Sequence, residues 1–324
     1  MVHAVRIHSY GGPEVLHYEP VDVPAPGPGE VRLRQRACGL NYIDCYQRSG
    51  SYTLAALPAT LGMEGAGEVI ALGAGVTGVK LGDRVAYAMS LGGYAQERNI
   101  AVDRVVTIPA SIDDATAAAM MLQGMTVRYL FRETFPVKAG TVMLFHAAAG
   151  GVGLIACQWA RAIGATLIGT VSSDEKAALA LANGASHVIN TSRENFVDRV
   201  REITGGTGVE VAYDSVGKDT FPGSLDCLKQ RGLWVSFGSA SGYVPPIELA
   251  MLSSRGSLFA TRPTLATYIA TRADLVANAT ELFHMVATGA VKIAVNQRYP
   301  LAAAADAHRD LEARKTTGSS VLIA

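Results

Sequence analysis

The sequence predicts an α/β protein of two domains, one β-rich and one built on a parallel sheet with crossover helices. Three observations predict it. Gly140–Arg161, GTVMLFHAAAGGVGLIACQWAR, runs from an apolar strand through a small-residue turn into an apolar-periodic helix. After it, strand and helix text alternate, as parallel sheets with right-handed crossovers require. Before it, strand-like runs are broken repeatedly by glycine and proline.

Taken in order, VHAVRI, the PAPGPGE loop and EVRLRQRACGL open the β-rich part, and Gly62–Tyr87 continues it with alternating apolar residues and a Gly-Asp turn pair. Asp113–Phe131 turns helical and leads into the strand Val142–His146. Strands are then expected at 165–171, 187–190, 209–214 and 233–238, with helices at 176–183 and 194–204. Thr267–Ala324 returns with helices and a final short strand, SSVLIA. The expected domains are therefore 1–123, completed by 267–324, and 124–266.

Ala148-Ala149-Gly150-Gly151-Val152-Gly153 fits G-x-G-x-x-G with alanine in the first slot. Strand, glycine turn and helix in that order make a Rossmann-type dinucleotide site. Gly150 would admit a pyrophosphate to the backbone, Gly153 would let the helix lie on the strand, and the free N–H groups of the helix start would face the negative charge. The acid that bonds a ribose 2′-hydroxyl belongs at the end of the second strand. That strand, ATLIGTV, ends in Val171 followed by Ser172 and Ser173, and these hydroxyls with Lys176 suit a 2′-phosphate, favouring NADP(H) over NAD(H). A one-residue shift would bring Asp174 or Glu175 to the ribose and reverse this. The reading adopted makes both first-turn helix acids that complement the dipole.

Lys+Arg and Asp+Glu both number 28, so nothing favours a nucleic-acid partner. With 49% hydrophobic residues the chain can bury a large core, yet no apolar run approaches a membrane span and the N-terminus lacks a targeting pattern, leaving a cytoplasmic protein as the expectation. Cys38, Cys45, Cys157 and Cys227 are scattered and read as buried thiols.

GGPEVL (11–16), NYID (41–44), GDRV (82–85), GGYAQE (92–97), FHAAAGGVGLIACQWA, YDSVG (213–217), VSFGSASG (235–242) and TRP (261–263) resemble the zinc-independent quinone oxidoreductases related to zeta-crystallin, within the medium-chain dehydrogenase/reductases. The resemblance covers nearly the whole chain. It implies a GroES-like catalytic domain beside the Rossmann domain, a homodimer, a quinone substrate and cofactor contacts from Asn41, Thr126, Gly150, Gly151, Val152, Gly153, Ser173, Lys176, Ser215, Phe237, Ser239, Thr261, Arg262 and Arg314. Lys176 and Arg314 would be the charged partners of the 2′-phosphate. Thr191 departs from the family, which tends to place an aromatic residue there.

The related alcohol dehydrogenases hold zinc through a Cys and a His at positions occupied here by Asn41 and Met63. An amide and a thioether do not replace those ligands, Cys38 lies three residues early, and Glu64 alone cannot hold the metal. Alcohol oxidation then loses its Lewis acid, whereas a quinone disperses incoming negative charge over its own ring. For the reaction itself, Asn41 would bond the nicotinamide ribose or a quinone oxygen. Asp44 either anchors a network or relays a proton, or simply caps a helix. Tyr46 and Tyr52 would offer flat faces and hydroxyl donors to an aromatic substrate. His146 reads as a satisfied core histidine. Two other activities stay open: reduction of an activated C=C bond, and a structural or RNA-binding role that zero net charge disfavours.

Overall fold

A computed structural model describes all residues, 1–324. The chain divides into two units, Met1–Met125 with Ile269–Ala287 and Ile293–Ala324, and Thr126–Tyr268 with Thr288–Lys292.

In the first unit, β1 (Val2–Ile7), β2 (His17–Val21) and β4 (Ala59–Thr60) make a small antiparallel sheet, with β1 in the middle. A seven-stranded sheet gathers β3 (Glu30–Leu40), β5 (Glu64–Leu72), β6 (Arg84–Ala88), β7 (Glu97–Ala101), β8 (Val106–Thr107) and two late strands, Val295–Pro300 and Ser319–Ile323. Ser319–Ile323 pairs antiparallel with the end of β3, placing Leu322 beside Cys38. The first seven residues of β3 alternate between inward burial and partial exposure, the mark of a strand covered on one face. Its last four residues are all buried, where α1 (Tyr42–Ser49) begins. Gly50 closes α1 in the left-handed conformation at φ +82°, which glycine adopts without strain.

In the second unit six parallel strands lie in the order β11 (His187–Asn190), β10 (Thr166–Val171), β9 (Val142–Phe145), β12 (Val209–Asp214), β13 (Leu228–Ser236) and β14 (Phe259–Thr261). The central strands β9, β10 and β12 are almost continuously buried, as in a sheet covered on both faces. The expected alternation is present, with local differences at helix starts. The helix expected from Lys176 begins at Asp174, because Ser173 Oγ caps it by accepting from Lys176 N at 3.3 Å. Asp174 and Glu175 are thus first-turn residues of α4 (Asp174–Ala182). The next helix, α5 (Phe196–Ile203), starts at Phe196 rather than Glu194, since Asn195 Oδ1 accepts from the N–H groups of Val197 and Asp198. α2 (Asp114–Tyr129) carries the division between the units, and α3 (Gly151–Ile163) follows the glycine turn. No helix is long and apolar enough to cross a membrane.

Candidate functional site

The second-unit residues assigned to a cofactor occupy one end of the sheet. Gly150–Gly153 follow β9, Ser173 follows β10, Ser215 follows β12, Phe237 and Ser239 follow β13, and Thr261 and Arg262 close and follow β14. All are at the carboxyl ends of parallel strands, where open α/β sheets take their ligands. Thr126 is buried in α2 within the same unit.

The glycine turn is tight for identifiable reasons. A Cβ on Gly153 would lie 2.4 Å from the Ala147 carbonyl oxygen and 2.6 Å from Ala148 Cα, so only glycine lets α3 start this close to the strand. Ala147 takes the left-handed conformation at φ +56°, and Gly150 N closes the turn on Ala147 O at 3.0 Å. The alanine in the motif's first slot is matched across the sheet: a Cβ on Gly169 of β10 would stand 2.6 Å from Ala148 Cβ. Gly151, Val152 and Gly153 open α3, so their N–H groups have no carbonyl a turn earlier to bond and are available to a phosphate.

Arg262 staples the neighbouring loop. Its guanidinium donates to Ser236 O (2.9 Å), Gly238 O (2.7 Å) and Ser239 Oγ (3.2 Å), fixing the segment that carries Phe237. Beside it is a pocket of about 350 Å³ lined by Trp234, Tyr243, Ile247, Thr261 and Arg262 among others.

His146 is the core histidine its position suggested. Buried, with its pKa pushed down by burial, it bonds Thr170 Oγ1 at 2.9 Å and Ser224 Oγ at 3.0 Å. Ser224 in turn donates to Asp214 Oδ2 at 2.8 Å. Serine therefore stands between acid and histidine, the wrong order for a nucleophile, and all three are buried. Burial alone would raise the Asp214 carboxyl, but His146 and bonds from Gly217 N, Ser224 and Thr220 hold it below the usual range.

The first unit supplies Asn41, Asp44, Tyr46, Tyr52 and Arg314. Asn41 follows the last residue of β3 and caps α1, and it is Asn41, not Asp44, that takes the cap position. Asp44 is the third helical residue and reaches back, its Oδ2 accepting from Asn41 N at 2.9 Å. Of the alternatives open for Asp44, the cap position itself falls to Asn41, because the strand ends one residue before it, and Asp44 closes the capping box from the third helical position. The Asn41 side chain is oriented by a directional series: Ser319 Oγ donates to Gln123 Oε1 (2.7 Å), Gln123 Nε2 to Asn41 Oδ1 (3.1 Å), and Asn41 Nδ2 to Glu64 Oε1 (2.7 Å). Leu122 N donates to the other Glu64 oxygen at 2.7 Å. One Asn41 amide hydrogen remains beyond this series.

Asp44 is fully buried, so whatever it does it does through neighbours. Tyr94 Oη donates to its Oδ2 at 3.0 Å and lies 3.2 Å from His308 Nε2. His308 Nδ1 is 3.0 Å from Arg48 Nη1. Arginine can only donate, so Nδ1 accepts, Nε2 carries the proton, and the order Arg48 to His308 to Tyr94 to Asp44 follows. Arg48 is further held by Glu312 at 2.7 Å. Burial raises Asp44 to about 7 and Glu64 to about 8, and burial beside the Arg48 charge lowers His308 to about 3. Tyr94, Gln123, Ser319 and His308 escaped the sequence reading. No local pattern marks them, since each lies at least 50 residues along the chain from the partner that explains it.

Tyr46 and Tyr52 come together, both half-buried, with ring centroids 5.2 Å apart at 58° and Tyr52 N bonded to Tyr46 O. Arg314 is exposed in the first unit, just past the helix Ala304–Glu312, in the left-handed conformation. Cys38, Cys45, Cys157 and Cys227 are free and buried. No group of three or more His, Cys, Asp or Glu side chains is placed to hold a metal ion.

Residues 27–126 match the alcohol dehydrogenase GroES-like domain and residues 151–283 the zinc-binding dehydrogenase model. A quinone oxidoreductase of Pseudomonas aeruginosa is 54% identical over 324 residues, covering all of both chains. The solved Escherichia coli quinone oxidoreductase complexed with NADPH superposes with a TM-score of 0.98 at 50% identity, over 99% of this chain and all of that one. The chain belongs to the quinone oxidoreductase family of the medium-chain dehydrogenase/reductases. A 2-haloacrylate reductase of a Burkholderia species is also similar, 45% identical over 330 residues, all of this chain and 99% of that one. Within the quinone oxidoreductase family, then, this chain carries an amide at Asn41 that its own neighbours orient, and a thioether at Met63 that accepts from Gln47 Nε2.

Proposed function

We propose that the chain is an NADPH-dependent quinone reductase. The reading is carried by the gathering of second-unit cofactor residues at the carboxyl ends of five of the six parallel strands, in a chain 50% identical to a quinone oxidoreductase crystallised with NADPH. NADPH supplies a hydride, and a quinone accepts it without metal assistance because its conjugated ring spreads the charge. The chain's residues bind and orient. Gly151–Gly153 present N–H groups to the pyrophosphate, and Ser173 and Lys176 face the 2′-phosphate corner, with Arg314 as a further cation. Phe237 and Ser239, on the loop that Arg262 fixes, border the nicotinamide end. Asn41 directs its remaining amide hydrogen at a ribose or quinone oxygen, and Tyr46 and Tyr52 offer ring faces and hydroxyls to the acceptor. Asp44 is a positioning residue that sets the start of α1.

A homodimer fits the same reading: β14 is an edge strand paired only with β13, and it exposes Phe259. A cytoplasmic setting agrees with four free buried thiols. The similarity to a 2-haloacrylate reductase favours a second reading, hydride addition to an activated C=C bond followed by a proton. Steady-state NADPH oxidation with 1,4-benzoquinone, a 2-alkenal and 2-chloroacrylate separates the two. Turnover led by the quinone is expected, and a strong preference for either alkene overturns the first reading.

A further inference from the structure

Asp174 is the acid that threatens a phosphorylated cofactor. It opens α4 three residues past the end of β10, beside Ser173 and close to Lys176, where an unpaired carboxylate would repel a 2′-phosphate held by them. In this structure that carboxylate is already taken. Arg193 grips it through both ends of its guanidinium, Nη2 at 2.8 Å from Oδ1 and Nη1 at 3.1 Å from Oδ2. Asn190 Nδ2 adds a bond to Oδ1 at 2.9 Å.

The segment that presents Arg193 is itself fixed. Buried Asn190 ends β11, its Oδ1 takes the N–H and hydroxyl of Ser192, and its carbonyl takes Arg193 N at 3.2 Å. Between them, Thr191 folds back onto β10, with both its N–H (2.9 Å) and its hydroxyl (3.0 Å) on Val171 O. Thr191, Arg193, Asp174, Ser173 and Lys176 therefore share one corner where β10 and β11 end. Both partners of the ion pair are more than half exposed, at 63% and 61%, so it adds little to stability. Its effect is on the charge of the corner. Asp174 and Glu175 against Lys176 leave one negative charge, and Arg193 cancels it; the nearby Glu194 is paired with Arg199 at 3.0 Å.

We infer that Arg193 is a specificity-determining residue for the 2′-phosphate, acting by withdrawing the Asp174 carboxylate from the ribose and leaving the corner without net repulsion. This rests on the NADPH reading above. The guanidinium has five N–H donors, and those not on Asp174 remain to meet a phosphate oxygen.

The test is calorimetric titration of the full chain with adenosine 2′,5′-bisphosphate and with 5′-AMP, then with NADPH and NADH, at low and moderate salt. The wild type, Arg193→Ala, Asp174→Asn and the double variant are compared, with 5′-AMP affinity reporting an intact site. Arg193→Ala is expected to lower the preference for the bisphosphate by about tenfold at low salt and less at higher salt, while NADH binding improves. Adding Asp174→Asn is expected to restore most of the preference. An unchanged ratio in Arg193→Ala, or a double variant no better than it, overturns the role of Arg193. A wild type without preference for the bisphosphate overturns the NADPH reading as well, so the two failures are distinct.

Discussion

Asn41 Nδ2 donates to Glu64 Oε1 at 2.7 Å, so a buried carboxyl group sets the orientation of the amide proposed to meet substrate or cofactor. The space around that carboxyl is full. A Cβ on Gly39 would lie 2.1 Å from Glu64 Oε1 and 2.5 Å from Ala118 O. Gly39→Ala is therefore expected to displace Glu64, cost roughly 1–3 kcal/mol, and raise the KM for quinone through Asn41. Urea denaturation and steady-state kinetics on the same variant check both effects.

The same burial makes stability depend on pH in a direction that can be worked out. Glu64 rises from 4.5 to about 8 and Asp44 from 3.8 to about 7, so the folded chain holds protons that the unfolded chain has released. Their contribution is full below the unfolded values and is lost as pH rises through the folded ones. His308, lowered from 6.5 to about 3, has the opposite sign, since the unfolded imidazole binds a proton that the folded one refuses. Its contribution is present above 6.5 and lost on acidification. The terms oppose each other below 6.5, so the decline stands clear between 6.5 and 8, where it is expected to reach roughly 1–3 kcal/mol. Chemical denaturation across that window measures it, and Glu64→Gln should flatten the slope.

His308→Gln interrupts the order from Arg48 through Tyr94 to Asp44. It leaves a buried guanidinium and a buried hydroxyl short of a partner, with an expected cost of roughly 2–4 kcal/mol. It should also remove part of the acid-side loss of stability, which a variant that only left a cavity would keep. Tyr94→Phe separates the two causes: it deletes the donor to Asp44 while leaving the His308 titration in place.

Gly153 tests the cofactor turn. Its Cβ would strike backbone atoms of Ala147 and Ala148, which cannot swing aside as a side chain could. Gly153→Ala is expected to shift the start of α3 and weaken NADPH binding by about tenfold or more, which fluorescence titration of NADPH would read.

The glycine turn was legible from sequence because everything that defines it lies within one short stretch: an apolar strand, small residues and an apolar helix start. The parallel sheet was legible for a similar reason, since each strand–helix repeat writes its own period. Asn41 is singled out by its place after A-C-G-L, but what orients it comes from Glu64, Gln123 and Ser319, brought together only by the pairing of β3 with β5 and with the last strand and by the seat of α2 against them. The cap of α1 stays open in the sequence because Asn and Asp serve equally well there, and only the end of β3 decides for Asn41 over Asp44. Arg193 carries no signal of its own; its meaning depends on two neighbouring strands ending side by side.

Ala148 and Gly169 together account for the motif's departure from glycine in its first slot. Ala148 occupies the first slot of the turn, and the methyl it adds lies over Gly169, where a Cβ would approach to 2.6 Å. Two methyls cannot share that space, and both backbones are fixed, Gly169 in β10 and Ala148 by its N–H on Thr170 O at 3.0 Å. Gly169→Ala alone is therefore expected to destabilise by roughly 1–3 kcal/mol. Ala148→Gly alone should cost less, about 1 kcal/mol, by loosening the unfolded chain and removing one methyl contact. Together they exchange the positions of methyl and hydrogen, so the double variant should be more stable than Gly169→Ala by itself, with a favourable coupling of roughly 1 kcal/mol or more in a double-mutant cycle. Strictly additive effects would mean that the sheet widens to admit both methyls, and that the alanine in the first slot owes nothing to the glycine opposite.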